Sequence, residues 1–272
     1  MNEELRKLQL TQLEILKVID AFCRDHGIHY SLYAGSLLGA VRHHGFIPWD
    51  DDLDICMARQ EYNRFVRLWY KEGPQEYLIQ NKELEPHFSQ SFTKIRKDHT
   101  TFLQYESERG RYHTGIFVDV FPIDRIPEGR LRRWVFRTDC LFYQLYTREF
   151  VPPQAGRVIR LATSFLLKTS SDKSRKKRRK RHFKRIVRYN QSRELSTIAI
   201  ETAGTLKQLF PYNMMDTYTE LPFEDMSCMC IKEWDAYLKE KFGNYMQLPP
   251  EEEQGWKHHP IVLDFKRNLD EL

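Results

Sequence analysis

Two apolar periodicities alternate along the chain, and the changes between them mark its elements. Over residues 3–26, Leu5, Leu8, Ile15, Ile19 and Phe22 recur on one face, the 3.6-residue repeat of an amphipathic helix. Gly27 follows Asp25-His26 and suits the left-handed residue that ends a helix. Ile28–Leu32 reads as a short strand, Gly35-Ser36 as a turn, and Leu37–His43 as a short helix closed by Gly45. Phe46–Met57 passes Pro48 and then becomes a strand. Gln60–Tyr70 is again helical in spacing, with Tyr62, Phe65, Val66 and Trp69 on its apolar side. Strands are predicted at Tyr77–Gln80, Phe92–Arg96 and Gly115–Phe121, and helices at 130–149 and Ile231–Phe242. After Pro152-Pro153 charge replaces periodicity. Strands mixed with modest helices predict an α+β (mixed α/β) fold. Residues 1–125 would form the catalytic core. Residues 126–272 would form a helical region packed with it as one domain.

Composition narrows this picture only slightly. The chain has 272 residues, 41% apolar and 13% aromatic, enough to build a core and too apolar for wholesale disorder. No repeat or low-complexity segment marks a solenoid or a linker-dominated chain. The N-terminus is charged within seven residues and has no apolar signal core, and no run of about 18 apolar residues is present. Five scattered cysteines fit a reduced, cytoplasmic setting better than a disulfide framework.

The strongest chemical signal is Ile47-Pro48-Trp49-Asp50-Asp51-Asp52-Leu53-Asp54-Ile55. Along a strand, side chains alternate faces, so Asp50, Asp52 and Asp54 are expected on one side and Leu53 and Ile55 in the core. Carboxylates so placed repel unless a cation lies among them, and hard oxygen ligands suit Mg²⁺ or Mn²⁺. A solvated acidic turn is the bland alternative, opposed by the apolar alternation around it. A calcium loop fails because Ile55 stands where the sharp turn needs glycine. Asp119, inside the apolar run Ile116–Phe121, is costly to bury unless paired or metal-bound, so it is expected to complete the metal cage or act as a base. Asp124, after Pro122, reads as a turn residue or cap. Gly35-Ser36 lacks the spacing of a nucleophile elbow but can hold a phosphate where a helix begins, or Ser36 can simply cap that helix. Arg42, Lys94 and Arg96 are candidate phosphate-binding cations, although each alone is more often a surface charge.

Taken together, the string Gly35–Asp54, the segment Gly115–Pro122 and Phe242–Pro250 resemble the LicD family of phosphocholine transferases, which includes fukutin-type sugar-phosphate transferases. The resemblance implies a nucleotidyltransferase-like fold, with a mixed sheet flanked by helices and helical C-terminal additions. It makes Asp52 and Asp54 the metal pair and Asp119 the third carboxylate, with Asp50 an additional ligand. It implies Mg²⁺-dependent transfer of phosphocholine, or a related phospho-alcohol, from a CDP-linked donor such as CDP-choline or CDP-ribitol. The acceptor would be a sugar hydroxyl on a glycan, teichoic acid or lipopolysaccharide precursor. Phe242-Gly243-Asn244 stands where Tyr-Gly-Asp is common in relatives. Trp49, Tyr33 and the tyrosines near 237–245 are candidates for a choline box.

The net charge of +5 is unevenly spread. Residues 173–188 hold 11 Lys or Arg and no acid, and the rest of the chain is net −6. Beside this run, Val158–Leu167 is amphipathic. Such a pair is expected to dock peripherally on an anionic membrane surface. No helix-turn-helix, RNP or zinc-finger spacing accompanies the run, which argues against nucleic acid, and a solvated basic helix is the plain alternative. Cys228, Cys230, His258 and His259 are spaced too loosely for structural zinc. Two further functions use the same features: nucleotidyl transfer from an NTP to a small molecule, or a basic membrane- or nucleic-acid-binding adaptor.

Overall fold

The computed structural model describes residues 2–151, 156–191, 198–201, 209–256 and 259–272. Pro152, Pro153 and His258 lie outside them. The elements run α1 (Glu3–Asp25), β1 (Ser31–Leu32), α2 (Ala34–His43), β2 (Asp54–Ala58), α3 (Arg59–Glu72), β3 (Tyr77–Gln80), β4 (Thr93–Lys97), β5 (Thr101–Leu103) and β6 (Phe117–Arg125). Then follow α4 (Arg130–Thr147), α5 (Arg157–Thr169), α6 (Asp172–Val187), β7 (Ile198–Glu201), β8 (Phe210–Pro211), β9 (Tyr218–Phe223), β10 (Met226–Ile231), α7 (Trp234–Phe242) and β11 (Val262–Asp264).

A mixed sheet lies at the centre, in the order β1-β2-β6-β4-β3, with β7 on the far end of β6 and β8 beside β7. Among the described strands of this sheet, only β2 and β6 run parallel; the other pairs are antiparallel. The predicted α/β class therefore holds, and helices flank the sheet. The C-terminal half contributes helices as expected and also strands: β9 and β10 form a hairpin and β11 pairs with β5.

Helix α1 forms as its spacing predicts. Asn2 caps it by accepting from the N–H of Glu4 and Leu5, which satisfies donors that have no intrahelical partner. Its apolar stripe, Leu5 through Phe22, is buried. One core joins α1, the sheet, α2, α3, the β9–β10 hairpin and α7. A smaller cluster of Ile126, Phe136, Cys140 and Ile186 joins α4 to α6.

Three readings of local pattern need correction. Gly35-Ser36 is not a turn before the helix but lies in the first turn of α2, which Tyr33 caps. The strand expected across Phe46–Met57 begins only at Asp54. Pro48 has no N–H for a ladder, the Asp50 N–H turns back to the Ile47 carbonyl at 2.9 Å, and side chains of α1 take up carbonyls that a neighbouring strand would otherwise bind. Asp124 is no turn residue, because β6 continues through Pro122 to Arg125. It is fully buried and accepts from Arg59 Nε at 2.7 Å, Arg59 Nη2 at 2.5 Å and Asn190 Nδ2 at 2.7 Å. This bidentate pair ties α3 to β6.

Candidate active site

The site starts from a row across the sheet. Asp54 on β2 stands opposite Asp119 on β6, Asp119 opposite Lys94 on β4, and Lys94 opposite Gln80 on β3. Register partners point to the same face, so these side chains form one line. Lys94 Nζ donates to Asp119 Oδ1 at 2.6 Å, and both residues are under 10% exposed. The same ammonium sits 3.2 Å from the Phe117 ring centroid. Backbone bonds lock the row: the Asp119 N–H donates to the Leu53 carbonyl at 2.9 Å, and the Asp54 N–H donates to Ser36 Oγ at 2.8 Å. The Ser36 hydroxyl thus positions the start of β2.

Asp50, Asp51 and Asp52 lie in the segment just before β2. One carboxylate oxygen from each comes within 4.8 Å of the other two. Asp51 is 2% exposed and joins this cluster. Strict strand alternation points it to the opposite side, but the segment is not a strand, so alternation does not apply. The segment is held from α1. Gln9 Nε2 donates to the carbonyls of Ile47 at 3.3 Å and Asp50 at 2.9 Å, and Gln12 Nε2 to that of Asp51 at 2.8 Å. Sequence reasoning missed these glutamines; their signal is a polar residue inside the buried stripe of an amphipathic helix. Gly35 lets the cluster approach α2, because a β-carbon there would lie 2.8 Å from Asp50 Oδ2.

Two cavities meet at Asp52. A cleft of about 690 Å³ is lined by Gly35, Trp49, Asp50, Asp52 and Asp54 on one side and by Lys241, Phe242, Asn244 and Tyr245 on the other. A pocket of about 130 Å³ is lined by Asp51, Asp52, Phe92, Lys94, Phe117 and Asp119. Arg42 also lines the cleft, and its Nη1 donates to the Tyr245 carbonyl at 2.9 Å, fastening the far wall. Arg96 follows Lys94 by two residues on the same face of β4 and also lies over the Phe117 ring, but it lines neither cavity: its Nε donates to Gln80 Oε1 at 2.6 Å and its Nη1 to the Gly115 carbonyl at 2.5 Å. Of the candidate choline-box aromatics, Trp49 and Tyr245 line the cleft. Tyr33 and Tyr237 are buried with ring centroids 5.8 Å apart.

The electrostatics of this face are dominated by carboxylates. Burial, then the charges of Asp52, Asp119 and Asp50, hold the Asp54 carboxyl well above the usual carboxylate range. Burial lowers the Lys94 ammonium, and Asp119 partly offsets it. A set made wholly of carboxylate oxygens is relieved by a proton or by a hard divalent cation, and Asp50, Asp51 and Asp52 have the reach to share one. The zinc alternative finds no support among the described residues, where the cluster of three or more candidate ligands is Asp50, Asp51 and Asp52 and Cys228 and Cys230 are packed in the main core.

Comparison with known proteins gives this geometry a family. Residues 27–153 match the family described as LicD/FKTN/FKRP, nucleotidyltransferase domain, a span that contains every carboxylate of the site. Over 266 residues the chain is 30% identical to the lipopolysaccharide cholinephosphotransferase LicD of Haemophilus influenzae, covering 94% of this chain and 96% of that protein. A shorter similarity, 38% over 64 residues, reaches the ribitol 5-phosphate transferase FKRP of Mus musculus and of Homo sapiens, covering 24% of this chain and 12% of each. A similarity of 30% sustained over nearly the full length of both chains is not a shared fragment, and the protein belongs to the LicD family.

Proposed function

We propose that this LicD-type phosphotransferase moves phosphocholine, or a related phospho-alcohol, from a CDP-linked donor to a sugar hydroxyl of a glycan, teichoic acid or lipopolysaccharide precursor. The observation that carries the reading is the meeting of two cavities at Asp52, with the Asp54–Asp119 row beneath. The large cleft takes the donor. The first turn of α2, opened by Gly35, approaches its diphosphate, and Trp49, Phe242 and Tyr245 face its head group. A quaternary ammonium gains from such aromatic faces.

Asp50, Asp52 and Asp54, with Asp119, would hold Mg²⁺ or Mn²⁺; the proximity of Asp51 adds a further candidate. When bound, such an ion neutralises charge on the transferring group and the leaving oxygens. The acceptor hydroxyl enters from the small pocket, where Asp119 takes its proton. Its oxygen forms the new bond to the phosphorus distal to cytidine, the bond from that phosphorus to the bridging oxygen breaks, and CMP leaves. Lys94 holds Asp119 in place through its Oδ1. Arg42 keeps the cleft wall closed on the donor, and Arg96, bound within the sheet, is assigned no contact with it.

The test is CMP release from CDP-choline, CDP-ribitol or CDP-glycerol with a glycan acceptor and Mg²⁺. Asp52→Ala is expected to lower turnover by at least about a hundredfold; near-normal turnover in that variant overturns the reading. Nucleotidyl transfer is the second reading, favoured by the nucleotidyltransferase description of the matching domain. It predicts pyrophosphate from an NTP in place of CMP. A lipid-borne acceptor would place the enzyme peripherally on an anionic membrane.

A further inference from the structure

Helix α5 is amphipathic in the opposite sense to a packed helix. Thr163 and Leu166 are its buried residues, while Val158, Leu161 and Phe165 share another face and are 80%, 70% and 69% exposed. Helix α4 shows a similar inversion on one side. Phe136 and Cys140 pack toward Ile186 of α6, but Leu131, Trp134 and Leu141, spaced on one face, are 74%, 65% and 59% exposed. Of the 17 large apolar residues exposed among the described residues, nine lie on these two helices. Apolar area left in water at this density marks an interaction surface.

Charge identifies the partner. Helices α4, α5 and α6 together carry 17 Lys or Arg and two acids, Asp139 and Asp172. Part of this charge is used internally. Arg175 pairs with Asp172 and Glu149, Arg179 with Glu83, and Arg185 with Asp139. Lys176, Lys177 and Arg181 remain exposed on α6. Aromatic residues of α4 contact other basic residues of α6: Phe142 stacks on His182, with ring centroids 5.3 Å apart, and Arg178 Nη1 donates to the Tyr146 hydroxyl at 3.3 Å. A second copy of this chain would oppose one cationic face with another. At 13 residues α5 is too short to cross a bilayer, and no described helix is long and apolar enough to do so. A short helix with apolar and basic faces lies in a membrane interface.

We propose that the exposed apolar faces of α4 and α5 insert at the surface of an anionic bilayer, with the outward cations of α6 held over its headgroups. The basic run is then only half of the docking device, and the apolar half lies on the two helices before it. The inference rests on the reading of a lipid-borne acceptor, and it specifies the surface that meets the lipid.

The full chain is sedimented with vesicles of phosphatidylcholine alone and of phosphatidylcholine with phosphatidylglycerol, across a salt series. Binding is expected to the anionic vesicles, weakening with salt. Trp134→Ser/Phe165→Ser is expected to weaken it about tenfold or more, at low salt as well. Lys176→Glu/Lys177→Glu is expected to remove the preference for anionic lipid. Brominated lipid should quench tryptophan emission in the native chain and less in the Trp134 variant. All these side chains are exposed, so Tm should hold; if it falls, Leu131→Ser/Leu161→Ser repeats the test. Three outcomes overturn the proposal: no vesicle binding, binding untouched by either apolar pair, or a self-associated chain that the Trp134 variant makes monomeric without any vesicle binding. Vesicle binding is read without donor or acceptor, so its failure leaves the transfer chemistry standing. Failure to release CMP in solution leaves the docking standing.

Discussion

Gly35 shows how one hydrogen atom can matter at a site. A methyl group there would lie 2.8 Å from Asp50 Oδ2, and the end of a carboxylate moves more readily than backbone. Gly35→Ala should therefore leave stability within about 1 kcal/mol of the parent. Displacing Asp50 by an ångström or so should lower turnover about a hundredfold. Thermal unfolding and CMP release measured on one preparation separate the two effects. Asp124 is the opposite case. It lines neither of the two site cavities, yet it neutralises the buried Arg59 guanidinium. Asp124→Ala strands that charge and should cost about 3–5 kcal/mol, read as a lower denaturant midpoint. Asp52, Asp54 and Asp119 stand out in the sequence because charge among apolar neighbours is costly unless used. Asp51 is hidden there, because its place follows from a segment outside any strand that side chains of α1 hold. Asp124 is hidden because a Pro-x-Asp sequence reads as a turn unless one knows that Arg59 lies opposite.

At the scale of elements, α1 is the clamp on which the site is built. Its glutamines hold the acidic segment, and its Arg6 reaches the β9–β10 turn. Arg6 Nη1 and Nη2 donate to Glu224 Oε1 and Oε2 at 3.0 and 2.5 Å, and the Phe46 N–H donates to Glu224 Oε1 at 3.1 Å. Glu224 thereby joins α1, the hairpin and the loop after α2. The Arg6 hydrogen bond, foremost, holds its carboxyl below the usual range despite partial burial. A lowered folded-state pKa gives stability that is present above the unfolded value, about 4.3, and lost as pH falls through the folded one. The native chain should exceed Glu224→Gln by about 1 kcal/mol at neutral pH. That gap should close below pH ~4. Equal Tm values for the two proteins at neutral pH would discount the clamp. The stripe of α1 is legible from spacing alone. Its function as a clamp is not, because hydrogen bonds from Gln9 to residues 38 and 41 positions away leave no local signature.

For the molecule as a whole, the two clusters differ in size, and so should their resistance to opening. Cys23, Cys56, Cys228 and Cys230 lie in the main core, while Cys140 lies in the small α4–α6 cluster. All five lie outside disulfides and are at most 3% exposed. A thiol reagent should leave the native protein almost unmodified. On mild destabilisation Cys140 should react ahead of the other four, because a smaller buried unit opens at lower free energy. Mass spectrometry of the labelled peptides gives the order, and simultaneous reaction of all five would show a single cooperative unit.

The sequence by itself determined the helix and strand periods, the α/β class, the acidic string with Asp119, and the concentration of positive charge in one run. These properties are local: a side chain's chemistry and its spacing from near neighbours suffice to read them. Only the tertiary structure decided that β2 runs parallel to β6 with Asp54 against Asp119, that Ser36 serves the Asp54 N–H and that Arg96 turns into the sheet. It also decided that Arg175 and Arg179 of the basic helix point inward while apolar residues of α4 and α5 point out. Register and facing depend on what packs against an element, and the partners here lie tens to hundreds of residues away. An amphipathic pattern specifies that a helix has two faces, and the neighbours it meets in the fold settle which face is covered.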